Sequence, residues 1–241
     1  MSTRTGALPL IWMYHSVADR GEDPFDDPFD IVVTPERFAT HIRWLARRGL
    51  RGVSVRELLN HPGDRRGLVG LTFDDGYADF ATDVVPVLAG YGFTATVYVV
   101  AGRIGGHNAW DRGVSPRPLM DAGMLRRVAA AGMEVGSHTR SHPHLPAAGP
   151  GELADELTTS KLMLQDVLGA PVTGFAYPYG ELTAREVAAV RQAGYEHACA
   201  VRPGRLAGTH ALPRRYVGDR DTAARLLAKT ACHRLRWGRP R

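Results

Sequence analysis

The sequence predicts an α/β protein built on a mostly parallel β-sheet, either open or closed into a barrel. Short apolar segments of strand character alternate with segments of helical periodicity over the whole chain, which is typical of parallel α/β folds. Of the 241 residues, 44% are hydrophobic and 23% are charged, an ordinary globular composition. No linker or low-complexity segment divides the chain. We therefore expect a single domain over residues 1–241, with a core at about 8–217 and a C-terminal helix and basic tail at 221–241.

Eight segments are predicted as strands because they are short, apolar and rich in β-branched or aromatic residues. In chain order they are Leu8–Tyr14, Gly52–Val55, Leu68–Phe73, Thr94–Val100, Met133–Ser137, Gly174–Tyr177, His197–Val201 and Leu212–Val217. Parallel strands that alternate with helices place their C-terminal ends on one edge of the sheet, and ligand sites of such folds form at that edge. The functional residues are therefore expected directly after these segments.

Four helices are predicted between the strands from apolar residues at helical spacing. The first begins at Thr34-Pro35, a capping residue followed by a proline at the first helical position, and presents Phe38, Ile42 and Leu45 on one face. The other three are indicated by apolar stripes at residues 80–88, 153–168 and 187–190.

The hydropathy and charge of the chain argue against a membrane span and against nucleic acid as a partner. No segment approaches the roughly 18–20 continuous apolar residues that cross a bilayer. The net charge is +5, but the basic residues are scattered apart from the tail segment HRLRWGRPR, which we interpret as a solvated end. The N-terminal segment MSTRTGALPLIWMYHSV lacks the apolar length and the cleavage site of a signal peptide, which predicts a cytoplasmic protein.

Polar residues follow two of the predicted strands. The segment VGLTFDDGY ends in Asp74 and Asp75, and adjacent carboxylates are costly to bury unless a cation, a helix N-terminus or a catalytic role compensates them. The segment SHTRSH contains His138 and His142, and their spacing predicts that both rings lie on one side of a single helical turn. Each motif alone is a weak signal, since the aspartates can also form a helix-capping cluster with Asp79 and the histidine spacing can be incidental.

Together these residues indicate a catalytic metal site. Two histidines and one carboxylate from a neighbouring strand end form a ligand set that leaves positions open for water and substrate. The second aspartate then remains free as a base, because a metal ion lowers the pKa of water from 15.7 to roughly 7. Gly76 allows the backbone to turn tightly beneath the carboxylate pair.

With these motifs the sequence resembles the polysaccharide deacetylase family, also called the NodB-homology family or carbohydrate esterase family 4. TFDDG at 72–76 is similar to its first motif, SHTRSH at 137–142 to its second motif H[ST]xxH, and FAYPYG at 175–180 to its third motif RxPY. The resemblance implies a distorted (β/α) barrel of about seven strands. It also implies removal of N-acetyl groups, or less often O-acetyl or N-formyl groups, from sugars. This reaction would use one divalent metal ion, with zinc expected in preference to nickel, cobalt or iron.

The resemblance also implies individual roles. Asp74 resembles the general base, and the metal ligands are Asp75, His138 and His142. The backbone N–H of Tyr179 corresponds to the donor that holds the oxyanion of the tetrahedral intermediate. The implied reaction is attack of a metal-activated water on an amide carbonyl, followed by protonation of the leaving amine.

Two departures from the family pattern leave alternatives open. Ala176 stands where the third motif has the arginine that tethers the base; Arg214, in LPRRYV, can supply this guanidinium or is an ordinary surface arginine. The family's fifth motif, LxH, carries the general acid, and no clear LxH follows residue 180 in this sequence. His15, at the end of the first predicted strand, is a candidate acid or a buried structural histidine, and a protonated Asp74 is a further candidate.

Five residues are assigned to sugar binding. A tryptophan offers an apolar face to a pyranose ring and asparagine or aspartate binds hydroxyl groups, although the tryptophan can instead cover the barrel rim. These residues come from the long loop 102–118 and from the neighbourhood of the first and third motifs: Asn108, Trp110, Asp111, Tyr77 and Pro178.

The early YHSV, with FAYPYG and LPRR, is most similar to the branch that includes poly-N-acetylglucosamine deacetylases. Those enzymes are exported, whereas this chain shows no export signal, which points to a soluble biosynthetic intermediate, a glycoconjugate or a lipid-linked sugar as substrate. The predicted function is metal-dependent removal of an N-acetyl group from an amino sugar. The alternatives are a deformylase or deacylase of a non-sugar amide, and a catalytically lapsed sugar-binding member of the fold.

Overall fold

The computed structural model describes residues 7–20, 27–111 and 113–237. Every strand pair in its two sheets is parallel. The strands of the described residues are β1 (Ile11–Tyr14), β2 (Ser16–Val17), β3 (Val32–Val33), β4 (Arg51–Val53), β5 (Leu68–Phe73), β6 (Thr96–Val99), β7 (Glu134–Ser137), β8 (Gly174–Ala176), β9 (His197–Ala200), β10 (Leu212–Pro213) and β11 (Arg215–Tyr216). β2 and β3 pair with each other, and the other nine form one sheet.

The nine-stranded sheet is nearly closed into a barrel. Its order is β10, β9, β8, β7, β6, β5, β1, β11, with β4 beside β5. β10 and β11 are separated only by Arg214, so one continuous segment pairs with β9 at its start and with β1 at its end. We call residues 212–216 the closing segment. The distorted (β/α) barrel is thus confirmed.

The expected count of about seven strands is too low. β4 pairs with residues 68–70 of β5, whereas β6 pairs with residues 72 and 73 of the same strand. β4 therefore occupies the space beside the first half of β5 and adds a strand at the N-terminal end of the barrel. The closing segment, predicted as one strand, is divided in two around Arg214.

Seven α-helices surround the sheet in the described residues. They are α1 (Pro35–Ala46), α2 (Val55–Asn60), α3 (Val85–Ala89), α4 (Ala122–Ala130), α5 (Pro150–Leu168), α6 (Ala184–Gln192) and α7 (Ala223–Trp237). The four predicted helices correspond to α1, to α3 with a preceding π-helical turn at Phe80–Val84, to α5 and to α6. α2 and α4 were not predicted, and α7 is the expected C-terminal helix. None of the helices in the described ranges has the length and hydropathy of a membrane span.

α2 lies at the N-terminal end of the barrel. The first N–H groups of a helix need acceptors, and carboxylates are favoured there by the helix dipole. The buried Glu134, at the start of β7, accepts from Arg56 N at 2.9 Å and from Thr96 Oγ1 at 2.7 Å, and Ser54 Oγ accepts from Glu57 N at 3.1 Å. These contacts hold α2 against the N-terminal end of β7.

The interior beneath the C-terminal edge is packed tightly around Gly136 on β7. A Cβ atom added there would lie 2.6 Å from Tyr98 and 3.0 Å from the carbonyl oxygen of Gly174.

We expect Gly136→Ala to lower the free energy of unfolding by about 1–3 kcal/mol and the melting temperature by about 3–10 °C, measured by denaturant and thermal unfolding. Gly151→Ala, at a position with open space in the first turn of α5, is the control and should not destabilise. Equal stability of both variants would contradict the packing described.

Candidate active site

The C-terminal ends of the strands surround a cavity of about 260 Å³. Eight residues predicted from the sequence contribute to its wall: His15, Asp74, Asp75, Trp110, Asp111, His138, His142 and Tyr179. They arrive from β1, β5, β7 and β8 and from the loop after β6, which are neighbours in the sheet. The parallel arrangement therefore brings together residues that are up to 164 positions apart in the sequence.

Asp75, His138 and His142 form a cluster with the geometry of a metal centre. Their ligand atoms all lie within 4.8 Å of one another, and all three residues are buried. Asp75 Oδ1 lies 3.5 Å from His138 Nε2 and 3.4 Å from His142 Nε2. Tetrahedral zinc, with ligands at 2.0–2.2 Å, separates neighbouring ligand atoms by about 3.3 Å. Within the described part of the chain Asp75 Oδ1 accepts no hydrogen bond, so these residues fit a divalent metal ion.

The protonation of His138 suits a metal ligand. Its Nδ1 lies 2.8 Å from the carbonyl oxygen of Ala176, and since a carbonyl only accepts, Nδ1 carries the proton and Nε2 presents its lone pair to the cluster. Burial lowers the pKa of His138 to about 4. Burial, together with the neighbouring His138, holds the pKa of His142 well below its usual value. Both rings are therefore neutral at neutral pH, as ligation requires.

The expected helical turn between the two histidines is wrong. Residues 138–142 form a loop in which Thr139 (φ 70°) and His142 (φ 65°) adopt the left-handed region, and the backbone N–H of His142 donates to Thr139 Oγ1 at 3.0 Å. The rings converge because the chain reverses between them. The ring of His142 then stacks against Trp110, with 4.7 Å between ring centroids.

Asp74 forms a buried bidentate ion pair with Arg214 from the closing segment. The two bonds measure 2.6 Å (Nη1 to Oδ1) and 2.7 Å (Nη2 to Oδ2), and Nη1 also donates to Thr72 Oγ1 at 3.2 Å. The side chain of Arg214 is 0% exposed, so it is not a surface arginine. Burial alone would raise the pKa of Asp74, but the guanidinium outweighs it and lowers this pKa to about 2.

The neighbouring carboxylate has the opposite environment. Burial raises the pKa of Asp75 well above its usual value, and the negative charge of Asp74 raises it further. No guanidinium reaches Asp75 among the described ion pairs. The two adjacent aspartates are thus distinct: Asp74 is compensated by Arg214, and Asp75 faces the position where a cation would compensate it.

His15 and Tyr179 lie on two other sides of the cavity. His15 follows β1, and its Nδ1 is buried without a hydrogen-bond partner in the described ranges. Burial lowers the pKa of His15, although the charge of Asp74 acts in the opposite direction. Tyr179 has φ 57°, and its half-exposed ring stacks on His144 at 4.0 Å between centroids.

Three of the five residues assigned to sugar binding do not line the cavity. Asn108 is buried, and its side chain supports the loop, accepting from Arg117 N at 2.7 Å and donating to Asp111 Oδ2 at 3.3 Å. Tyr77 and Pro178 are buried next to the motifs rather than exposed to a ligand. Trp110 and Asp111 do contribute to the wall.

Four apolar residues of the cavity wall were not identified from the sequence: Met13, Phe29, Ile31 and Val201. They come from β1, from the residues before β3 and from the residue after β9, so they lie where the barrel closes. Apolar residues at strand ends follow the same pattern as core residues, and only a position at the C-terminal edge distinguishes them.

The fold and the site define a class, a distorted (β/α) barrel with a candidate metal centre at the C-terminal ends of its strands. The family model for polysaccharide deacetylase matches residues 62–198, more than half of the chain. The chain therefore belongs to the polysaccharide deacetylase family.

Individual proteins resemble the chain to different extents. YxkH of Bacillus subtilis (strain 168) is 27% identical over 215 residues, which cover 86% of this chain and 70% of YxkH. The chitooligosaccharide deacetylase of Bradyrhizobium sp. (strain ANU 289) is 34% identical over 128 residues, and the match spans 52% of each protein. The chain thus matches only about half of that relative's length.

Solved structures show the same fold over nearly the whole chain. The Streptococcus pyogenes deacetylase PplD in complex with acetate has a TM-score of 0.79 at 24% identity, with 93% of this chain and 99% of PplD covered. IcaB from Ammonifex degensii has a TM-score of 0.73 at 22% identity, with 93% and 97% covered. At these identities the similarity establishes the shared architecture.

The ion pair between Asp74 and Arg214 gives a prediction on stability. Arg214→Met should lower the free energy of unfolding by about 3–5 kcal/mol, because it leaves a buried carboxylate without its partner. In Asp74→Asn/Arg214→Met the loss should be clearly smaller than the sum of the two single losses. Denaturant unfolding of the wild type, the two single variants and the double variant measures these losses, and strictly additive losses would contradict the pairing.

The Asp75, His138 and His142 cluster gives a prediction on metal binding. Zinc at about 100 times its dissociation constant should stabilise the fold by about 2.7 kcal/mol, which corresponds to a rise in melting temperature of about 5–10 °C. A chelator should reverse the rise, and His138→Ala should abolish it. His61→Ala, at the opposite end of the barrel, should retain it. An unchanged melting temperature of the wild type across a zinc titration would contradict the site.

Proposed function

We propose that the protein is a metal-dependent N-deacetylase that removes the acetyl group of an acylated amino sugar by hydrolysis. The observation that carries this proposal is the convergence of the Asp75, His138 and His142 cluster with the separately paired Asp74 in one cavity. Family membership supports the reaction type, and relatives that are chitooligosaccharide deacetylases support an N-acetylated sugar as substrate.

We propose zinc as the metal, with Asp75, His138 and His142 as its protein ligands. Imidazole nitrogens and a carboxylate oxygen suit zinc, and three protein ligands leave a further position for a small molecule. When bound, such an ion makes a water molecule acidic and polarises the acyl carbonyl. Trp110 stacks on His142, and the carbonyl of Ala176 holds the ring of His138, so both rings are oriented before an ion arrives.

Asp74 serves in this proposal as the general base that removes a proton from the attacking water. Its carboxylate is ionised at neutral pH because of Arg214, and the bidentate contact fixes its orientation toward the cavity. Arg214 therefore acts on Asp74 as a positioning residue. It takes the place of the third-motif arginine, from the closing segment rather than from β8.

The remaining steps use the backbone of Tyr179 and the ring of His15. The N–H of Tyr179 stabilises the negative oxygen of the tetrahedral intermediate. The bond between the acyl carbon and the sugar nitrogen then breaks, and the nitrogen takes up a proton and leaves as a neutral amine. This proton is the one that Asp74 removed from the water, delivered by the protonated Asp74 itself or through the ring of His15. The water oxygen ends in acetate, and the products are acetate and a free amino sugar.

Trp110 and Asp111 are the proposed sugar-binding residues, because they are the ones of the predicted set that reach the cavity. The indole supplies an apolar face and the carboxylate accepts hydrogen bonds from hydroxyl groups. Burial raises the pKa of Asp111, and a hydroxyl donor from a substrate would compensate this burial. The proposed substrates are soluble biosynthetic intermediates or glycoconjugates that carry an N-acetylated amino sugar.

The test is acyl release by the zinc-loaded protein, followed by mass spectrometry. Substrates are N-acetyl and N-formyl amino sugars in free, glycosylated, nucleotide-linked and short oligomeric forms. We expect release of acetate from one N-acetyl class. Asp74→Asn should lower kcat by about 10²–10⁴-fold, because it removes the base, while the zinc-induced rise in melting temperature persists.

The control variant and the panel separate the alternatives. Glu152→Gln, on α5 and remote from the cavity, should retain wild-type turnover. Release from N-formyl substrates alone would replace deacetylation by deformylation. No release from any substrate by folded, zinc-binding protein would contradict the proposal.

A further inference from the structure

His142 reaches the metal cluster from a loop that is held in an unfavourable backbone conformation. We call residues 139–142 the histidine loop. Both Thr139 and His142 have positive φ, in the region that non-glycine residues adopt only when surrounding contacts hold them there. The position of the His142 ring therefore depends on whatever holds this loop.

The buried carboxylate of Glu156, on α5, holds the loop from one side. Its Oε2 accepts from the backbone N–H groups of Arg140 at 2.8 Å and Ser141 at 2.9 Å. Its Oε1 accepts from Ser141 Oγ at 2.5 Å. Glu156 is only 2% exposed, so these contacts take place away from water. A buried carboxylate is otherwise costly, and here its compensation comes from the loop itself.

The turn after β6 holds the loop from the other side. The N–H of Ala101 donates to the carbonyl oxygen of Thr139 at 3.0 Å, and the N–H of Gly102 donates to that of Arg140 at 2.8 Å. A Cβ atom on Gly102 would lie 2.6 Å from the Arg140 carbonyl oxygen, which shows how closely the two backbones approach. The loop thus has donors facing Glu156 and acceptors facing the turn, and hydrogen bonds hold it from both sides.

The negative charge of Glu156 strengthens these contacts. Its Oε2 accepts from two consecutive N–H groups, and its Oε1 accepts from the Ser141 hydroxyl and lies 3.7 Å from Arg140 Nε. In a glutamine of the same shape, the amide oxygen can still accept from the two N–H groups and the NH₂ can donate to Ser141 Oγ, but the bonds lose their charge assistance and the NH₂ faces the guanidinium of Arg140. The change from glutamate to glutamine therefore weakens the contacts without creating a cavity.

We propose that Glu156 is a positioning residue of the metal site, which acts through the histidine loop to hold His142 in its ligand position. This inference rests on the metal site of the proposed function. It adds that the third ligand is held in place by a side chain outside the cavity, from a helix that contributes no ligand.

The test compares zinc dissociation constants, measured by competition with a chromophoric chelator, for wild type, Glu156→Gln and Asp155→Asn. Asp155 is the matched control, because it precedes Glu156 on α5 and pairs at 3.1 Å with the side chain of the same Arg140. Glu156 instead binds the loop backbone and only approaches that side chain, with 3.7 Å between Oε1 and Arg140 Nε. We expect Glu156→Gln to weaken zinc binding by about 10–100-fold, as for residues that orient a ligand. Asp155→Asn should change it by less than about twofold.

A double-mutant cycle shows whether Glu156 acts through His142. In the His142→Ala background, Glu156→Gln should cause no more than about a twofold further loss of zinc affinity, because the ligand that it positions is already gone. A purely structural role would lower the melting temperature without altering the dissociation constant. In Glu156→Gln, kcat measured at limiting zinc should fall, and excess zinc should restore most of it.

Ser141→Ala provides the milder variant should Glu156→Gln not fold. It removes one bond to the carboxylate at an exposed position, and zinc affinity should fall by about threefold or more. Unchanged zinc affinity in folded Glu156→Gln, or in Ser141→Ala where that variant replaces it, would overturn the inference. A wild-type protein without zinc affinity would instead overturn the metal site of the proposed function, so the two failures are distinct.

Discussion

The site depends on the burial of two adjacent carboxylates, Asp74 and Asp75, at the end of one strand. The negative charge of Asp74 raises the pKa of Asp75, and neither carboxylate is exposed enough for water to screen the repulsion. The protein resolves this by treating them differently: a guanidinium neutralises Asp74, and two imidazoles and an open position face Asp75. Two identical side chains in sequence thus acquire two different chemical environments, and the division of roles in the proposed mechanism follows from this asymmetry.

The partners of this pair come from opposite directions around the barrel. Arg214 arrives from the closing segment, beyond β1, and the histidines arrive from β7. The strand that carries the aspartates lies between these two groups, so the pair is compensated on both sides only when the sheet is wrapped. The opposite end of the barrel uses the same principle with Glu134, whose buried carboxylate lies 3.3 Å from His197 Nε2 and accepts from the N-terminus of α2. Buried carboxylates therefore contribute to both ends of the fold.

Much of the fold could be predicted from the sequence, because strand segments and the longer amphipathic helices have strong periodic patterns. All eight predicted strand segments coincide with strands of the main sheet. α2 was not predicted because six residues are too few to show a helical period. The count of about seven strands followed from the family resemblance and was low, although the segment that forms β4 is among the eight predicted strands. The division of the closing segment around Arg214 depends on pairing with two different neighbours, which local pattern does not reveal.

The candidate site was predictable where its residues form motifs, and less so where long-range packing determines the position of a side chain. Spacing alone indicated a helical turn between His138 and His142, but two residues with positive φ reverse the chain there, and sequence does not signal that conformation outside glycine. Asn108 has the chemistry of a sugar-binding residue, yet its amide is used by its own loop. Arg214 could be named as a candidate partner of Asp74, but whether its side chain is buried or exposed depends on closure of the barrel.

That closure has a consequence for the order in which the site assembles during synthesis. The aspartates and histidines lie within the first 142 residues, whereas the guanidinium that compensates Asp74 is added only at position 214. A nascent chain that has not yet reached the closing segment already contains Asp75, His138 and His142, the proposed metal ligands, but lacks the partner of the proposed base. The same five residues that join the two edges of the sheet also deliver this partner, so a growing polypeptide can acquire its proposed metal ligands early and the ion pair of Asp74 only on completion of the barrel.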